Sequence, residues 1–485
     1  MTAPVGLARR TLGGGALFFF AVGASAPMTV LAGGVVATYA GTGVVGVPAA
    51  FPLVTAALVL FTVSYVAMSR HVPHPGPLYA HVARGLGPGP GLAVAPLALL
   101  AYNAIQISLF GLLGVVVSGL LGGAWWLWAV AGWAAIAALG VLHIAINARV
   151  LALLLVCELG VVAAFDLAAF THPADGSISL APLLPGNLFS DGVGGVFALS
   201  VAAFIGYESA LAYGEEARRH GALARATFGS LLFIGVLYAV SSWGLALAVG
   251  PSRVVDATRD PASGLPMSVL AERYGPLMAL AATLLLVTSV FAAMLSFHNT
   301  AARYVFVLGR ERLLPAPFVR IGRGSRAGAP VGGSLLQSGV ALAVVVGCAV
   351  TGADPIGVLF TQLSTVAAIG IMTLMVITSL AAVRFYRRGG GTNEGAWTRV
   401  VAPLGGAVAV GLVLFTTVAN LDSLLGTGPG SPATLVLPGL VALALVTGLL
   451  WGARVRRRPE VYRGVGRGEP EPLAELEQHL SDVDV

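Results

Sequence analysis

The chain has 485 residues, of which 57% are hydrophobic and 10% charged, against about a quarter charged in soluble proteins. That composition excludes a soluble enzyme, and two cysteines exclude a disulfide framework. All 27 basic residues are Arg, so chemistry resting on a lysine amine is closed to the protein, and the formal charge of +6 has to be located before it is read as a nucleic-acid surface.

Twelve apolar runs are long enough to cross about 30 Å of hydrocarbon, near residues 16–39, 46–68, 93–120, 124–146, 150–170, 193–213, 228–250, 277–300, 332–351, 359–384, 399–419 and 433–454. The first is too long for a signal peptide and is followed at once by another, which argues for a span and against a secretory signal. An all-α integral membrane protein follows. Its predicted sections are an N-terminus over 1–15, five spans over 16–170, five over 193–384, two over 399–454, and a tail over 455–485.

Arginine placement predicts orientation. With the N-terminus inside, one side receives Arg9, Arg10, Arg70, Arg84, Arg149, Arg218, Arg219, Arg225, Arg303 through Arg326, Arg384 through Arg399, and Arg454 through Arg467, whereas the other receives Arg253, Arg259 and Arg273. Both ends are therefore expected to be cytoplasmic, in a multi-pass protein of the plasma membrane. The basic charge is accounted for by topology, and no nucleic-acid partner is expected.

Three connections have their own character. Residues 71–91, rich in Pro and Gly, carry an amphipathic stretch around Leu78 to Leu86 that is expected to lie at the membrane surface. Residues 251–274 could hold a small external helix. The tail after Arg458 turns acidic and polar; it is expected to be solvated and disordered, apart from one short helix over 471–480.

Two spans carry breakers in mid-membrane. The first contains Ser25-Ala26-Pro27-Met28-Thr29 and the sixth Phe204-Ile205-Gly206-Tyr207-Glu208. Proline removes a helical hydrogen bond, and such freed backbone is tolerated only where it is buried or lines a cavity. Interrupted helices at matching positions of two halves point to an inverted repeat of five helices each, with a small-molecule site between them at mid-membrane. A half-helix that begins with free N–H groups suits a carboxylate, and one that ends in free C=O groups suits an ammonium or a cation. An α-amino acid carries both groups on one carbon. A plain proline kink is the other reading of Pro27.

Ionisable residues inside spans are functional candidates by default. Glu208 follows the second break and serves either coupling and ammonium recognition or bracing of the break. Glu158 lies in span five; with its pKa raised by burial it could carry a proton. Asp166, nearer a span end, is expected to snorkel. His298, in the polar stretch Ser296-Phe297-His298-Asn299-Thr300, has either a proton or substrate role or a structural hydrogen bond. His143 reads as interfacial. Tyr102, Asn103 and Gln106 share a helical face and either line the pocket or join helices, with Thr361, Gln362, Ser364 and Thr365 a weaker version. Cys157 and Cys348 read as small buried hydrophobes.

Three segments carry a family resemblance. FIGYESA at 204–210 with GEEARRHGALARAT at 214–227, SYVAMSRHVPHPGPLYAHVARGLG at 64–87 and AARYVFVLGRERLLP at 301–315 together resemble the amino acid–polyamine–organocation permease superfamily. SAPMTV at 25–30 is similar to its putrescine-importer branch, and Ala202 and Ala203 stand where some members have an aromatic gate, leaving Tyr207 or Phe204 to serve. The resemblance implies a leucine-transporter-like five-plus-five inverted-repeat fold with two further helices, and secondary active transport of amino acids by alternating access. It also implies a cation site between the first, fifth and eighth helices, which points to proton coupling through Glu158 or Glu208, with sodium as the alternative ion. No cofactor or metal is expected; a polyamine importer, a non-transporting amino acid sensor and a membrane enzyme are the other classes, the last without a supporting nucleophile or HExxH motif.

Overall fold

The computed structural model describes residues 13–142, 148–213, 220–260, 263–322, 329–425 and 431–468. Its spans are α1 (Gly14–Thr42), α2 (Val47–Ser69), α3 (Pro88–Leu121), α4 (Trp125–Gly140), α5 (Ala148–Thr171), α6 (Val193–Tyr213), α7 (His220–Val249), α8 (Pro276–Arg310), α9 (Val331–Thr351), α10 (Pro355–Arg387), α11 (Trp397–Ala419) and α12 (Pro432–Val455). Eleven of these are long and apolar enough to cross a membrane. The exception is α4, 16 residues long; the rest of that predicted span, with His143, lies outside the described residues.

The bundle is organised around α3, which packs against α4, α8, α10 and α12, while α7 joins α1 to α2. Side chains such as Leu412, Phe415, Leu435 and Leu443 on α11 and α12 remain exposed. An apolar outer face of this kind suits contact with lipid, where helices associate by close packing and not by escape from water. Inside, the large buried side chains include Tyr39, Tyr65, Tyr102, Tyr207, Tyr238 and Tyr304.

Both expected breaks are present. α1 runs as a helix over Gly14–Ser25, turns at Ala26 with φ 44° and ψ 74°, and resumes at Pro27. α6 runs over Val193–Phe204, passes through an extended Ile205 and Gly206 with φ 119°, and continues as a tight helical turn over Tyr207–Tyr213. Each broken helix is the first of a set of five, α1–α5 and α6–α10.

The connections depart from expectation in two places. The helix Pro77–Leu86 does not float at a surface: Leu78, Tyr79, Ala80, His81 and Val82 are 0% exposed, because it is wedged against α3 and α10. After Arg458 the chain forms the helix Pro459–Gly464 and then packs inward at Val465 and Gly466, so the expected disorder does not begin there. The helix expected over 471–480 lies outside the described residues. Residues 251–274 do fold into two short helices, Val254–Arg259 and Met267–Tyr274. Cys157 is exposed on the outer face and not buried.

Close helix contact is limited by small residues. A Cβ at Gly448 of α12 would meet the carbonyl oxygens of Leu92 and Ala93 on α3, whereas Gly439 on the same helix has no neighbour within 4 Å. Gly448→Val is therefore expected to lower stability by about 1–3 kcal/mol through overpacking, and Gly439→Val to leave it unchanged. Thermal unfolding of the two variants in detergent checks the pair; equal midpoints would show that α12 does not depend on this approach.

Candidate functional site

The break in α1 leaves backbone groups that must be satisfied inside the bundle. On the incoming side, Tyr238 of α7 donates its hydroxyl to the carbonyl of Ser25 at 2.7 Å, and the Ala26 amide turns back to the carbonyls of Val22 and Gly23. On the outgoing side Pro27 has no N–H to satisfy. The Met28 amide donates to Glu158 Oε1 at 2.5 Å, and the Thr29 amide and hydroxyl both reach Ser289 Oγ, at 3.4 and 3.0 Å. Ser289 in turn donates to Glu158 Oε1 at 2.6 Å. The N-terminal end of the second half-helix, which the sequence suggests for a substrate carboxylate, thus holds a carboxylate of the chain itself. Glu158 is 4% exposed and joins α1, α5 and α8, the three helices named for a cation site.

The break in α6 has the same logic. Glu208, 0% exposed, folds back so that its Oε2 accepts from the Gly206 amide at 2.9 Å, and its Oε1 accepts from the Tyr102 hydroxyl of α3 at 3.1 Å. The Gly206 carbonyl takes both the amide and the hydroxyl of Ser209. Tyr207 pairs its hydroxyl with Thr62 of α2 at 3.1 Å. A Cβ on Gly206 would stand 2.9 Å from Ala24 Cβ, so the two breaks touch.

Between them lies a small cavity of about 50 Å³. Ser25, Ala26, Thr29 and Ile205 of the predicted set line it; so do Ala202 and Ala203, which precede the second break. Its aromatic walls are Phe297 of α8 and Phe360 of α10, while Phe204 packs away against Phe51 and Tyr238. An aromatic side chain at the cavity is thus supplied by helices other than α6. Ser364, from the weaker polar group, also lines it.

Several predicted residues stand elsewhere. Pro27, Met28, Gly206 and Tyr207 form the backbone frame behind the cavity and are not in its lining. The presumed polar face of α3 divides: Tyr102 reaches Glu208, Asn103 caps the carbonyl of Leu99 on its own helix at 2.8 Å, and Gln106 turns to α8 and α9. There Gln106 Nε2 lies 3.4 Å from His298 Nδ1, His298 Nε2 lies 2.7 Å from Ser334 Oγ, and Gln337 donates to Gln106 Oε1. This buried network joins α3, α8 and α9. Asp166 does not snorkel: it accepts from Ser241 of α7 at 2.9 Å. The residue that sequence reading passed over is Ser289, whose only signal is a hydroxyl in an apolar span.

The chain matches the family model described as amino acid permease over residues 12–447. Comparison with curated protein sequences finds no match. Among solved structures, the bundle is similar to the manganese transporter of Eremococcus coleocola. A histidine-to-alanine mutant of that protein aligns at 14% identity over 91% of this chain and 95% of that one, with a TM-score of 0.54. A glutamate-to-glutamine mutant aligns at 14% identity over 93% and 98%, with a TM-score of 0.56. Its complex with an aromatic bis-isothiourea compound aligns at 13% identity over 94% and 99%, also at 0.56. At this identity the likeness is one of fold, the leucine-transporter-like arrangement.

Gly206 is the point where the two breaks meet, and its φ of 119° is open to glycine and strained for any side chain. Gly206→Leu is expected to abolish transport while membrane insertion and yield persist, as read by uptake and size-exclusion chromatography. Near-normal uptake would remove this contact from the working site.

Proposed function

Because the chain belongs to the amino acid permease family and is a multi-pass membrane transporter, we propose that it carries amino acids across the plasma membrane by alternating access, coupled to protons, with both chain ends cytoplasmic. The observation that carries the proposal is the cavity enclosed by the breaks of α1 and α6, lined by backbone-exposing residues of both. The zwitterionic end of an amino acid meets the segments 24–26 and 202–205, and its side chain extends toward α3, α8 and α10.

Coupling is assigned to Glu158. A buried carboxylate without a basic partner is costly, and among the described residues no basic side chain pairs with it. A proton on Glu158 weakens its hold on the Met28 amide and on Ser289, which frees the second half of α1 to move against α5 and α8. Glu208, bonded to the Gly206 amide two residues away, is assigned to bracing of α6. The fold neighbours are named as manganese transporters, whereas the family model is that of amino acid permeases; an amino acid is the cargo proposed.

Counterflow of labelled amino acid in proteoliposomes separates a transporter from a sensor, since only the former exchanges label. Uptake is expected to follow an imposed proton gradient and to persist when sodium is replaced. Glu158→Gln keeps the shape and removes the titration, and should make uptake indifferent to the gradient; its oxygen still accepts from Met28 and Ser289, but both bonds lose their charged acceptor, a weakening of about 1.5 kcal/mol that lowers the rate roughly tenfold. Sodium-dependent uptake that ignores the proton gradient overturns the coupling.

A further inference from the structure

The walls of the cavity say what kind of side chain it accepts. Among the described residues no charged side chain lines it, and each of the side-chain hydroxyls in its lining already has a partner within the protein. Ser25 Oγ donates to the Ala21 carbonyl at 3.2 Å, Thr29 Oγ1 to Ser289, and Ser364 Oγ to Ser108 Oγ at 3.0 Å. The room comes from alanines at 202, 203 and 293, opposite Phe297 and Phe360. A charged or strongly polar side chain placed there would lose its water and find no replacement bond, whereas an apolar one would gain contact.

Resting on the proposed amino acid transport, we infer that the substrates are neutral amino acids with apolar side chains, and that cationic and acidic amino acids and polyamines are rejected. The test is counterflow of labelled leucine against unlabelled valine, methionine, phenylalanine, arginine, glutamate and putrescine. The apolar compounds should compete, and the charged ones should be weaker by roughly a hundredfold, the size expected for an unpaired buried charge. Arginine, glutamate or putrescine exchanging as well as leucine overturns this inference and leaves transport standing. Exchange of none of them overturns the transport reading itself.

A second, independent observation lies at the opposite end of α8, outside the cavity. Glu311 follows directly after α8 and is 3% exposed, yet its two carboxylate oxygens accept four hydrogen bonds from two separate parts of the chain. Tyr79 donates at 2.5 Å and His74 Nε2 lies at 3.1 Å; the backbone amides of Gly466 and Gly468 donate at 3.0 and 2.9 Å. His74 Nδ1 accepts from the Gly76 amide, which leaves the ring proton on Nε2 to face Glu311. Burial by itself raises the Glu311 carboxyl, but these donors outweigh it and hold the group below the ordinary carboxylate range, so it is charged.

The residues so joined belong to the helix Pro77–Leu86, the end of α8 and the segment that follows α12. That helix forms a floor beneath the tyrosine and glutamate cluster of Tyr65, Tyr102, Tyr304 and Glu208: His81 stacks edge-on to Tyr65 at 5.3 Å, and Tyr304 contacts Tyr102 at 5.4 Å. Gly466 lies directly on it, with the position of its absent Cβ 2.5 Å from Ala83 Cβ.

We propose that residues 459–468 are a strap that seats the floor helix against the bundle through Glu311, keeping this face of the transporter closed, and that transport toward this face requires the strap to lift. The strap is tested in the full-length chain, reconstituted in nanodiscs that leave both faces accessible. Cys157 and Cys348 are replaced by Ser, and Ser364→Cys is the reporter within the cavity. Gly466→Val, which forces a side chain into φ 73° and into Ala83, and Glu311→Gln, which keeps the shape and removes the charge, should each speed maleimide labelling of the reporter. Loss of two hydrogen bonds to a carboxylate, about 3 kcal/mol, corresponds to roughly a hundredfold shift in the open population. Unchanged labelling in Glu311→Gln, which is the milder variant and expected to fold, overturns the strap as a gate and leaves it a structural staple.

Discussion

The constraint on which the rest depends is the polar backbone exposed where α1 breaks, between Ser25 and Pro27, in an apolar bundle with few charges. Each unsatisfied amide or carbonyl in such surroundings costs several kcal/mol, so a break can persist only if other helices supply partners. Here Tyr238 of α7 takes the Ser25 carbonyl, and Glu158 of α5 with Ser289 of α8 takes the amides of Met28 and Thr29. Three helices are therefore positioned by one turn of missing helix.

Buried glutamates are used throughout in one chemical role, as acceptors for backbone amides. Glu158 accepts from Met28, Glu208 from Gly206, and Glu311 from Gly466 and Gly468. A chain with no lysine, most of whose arginines lie between spans or at helix ends, has few cations to offer inside; Arg303, expected in a connection, is the exception, since α8 continues past it and buries it over the Tyr213 ring at 4.3 Å. Amide dipoles at helix ends and tight turns supply the positive potential in their place. Glu158, which joins the α1 break to two other helices, is the carboxylate proposed for coupling, whereas Glu208 is bonded to its own turn and to Tyr102 of α3.

Away from the breaks the bundle is held differently. The Gln106, His298, Ser334 and Gln337 network ties α3 to α8 and α9 by side chains alone, and small residues such as Gly448 let α12 approach α3. These contacts give a frame around α1 and α6, the arrangement on which the proposed alternating access rests.

The sequence by itself determined the class of fold and the places where it is interrupted. Hydrocarbon thickness sets the span length, and proline and glycine at Pro27 and Gly206 set the breaks; both are local properties of the chain. It also singled out Glu158 and Glu208, because a carboxylate in an apolar run is costly wherever it ends up. What each carboxylate touches was decided only in three dimensions. Gln106 and His298, polar and in promising spans, turned to each other and not to the cavity, and Asn103 turned to its own helix, because helix rotation is fixed by packing with neighbours and not by periodicity. The cavity wall of Phe297, Phe360 and the alanines, and the burial of Glu311 under Gly466 and Gly468, join residues from separate helices far apart in the chain, so their chemistry exists only in the folded chain.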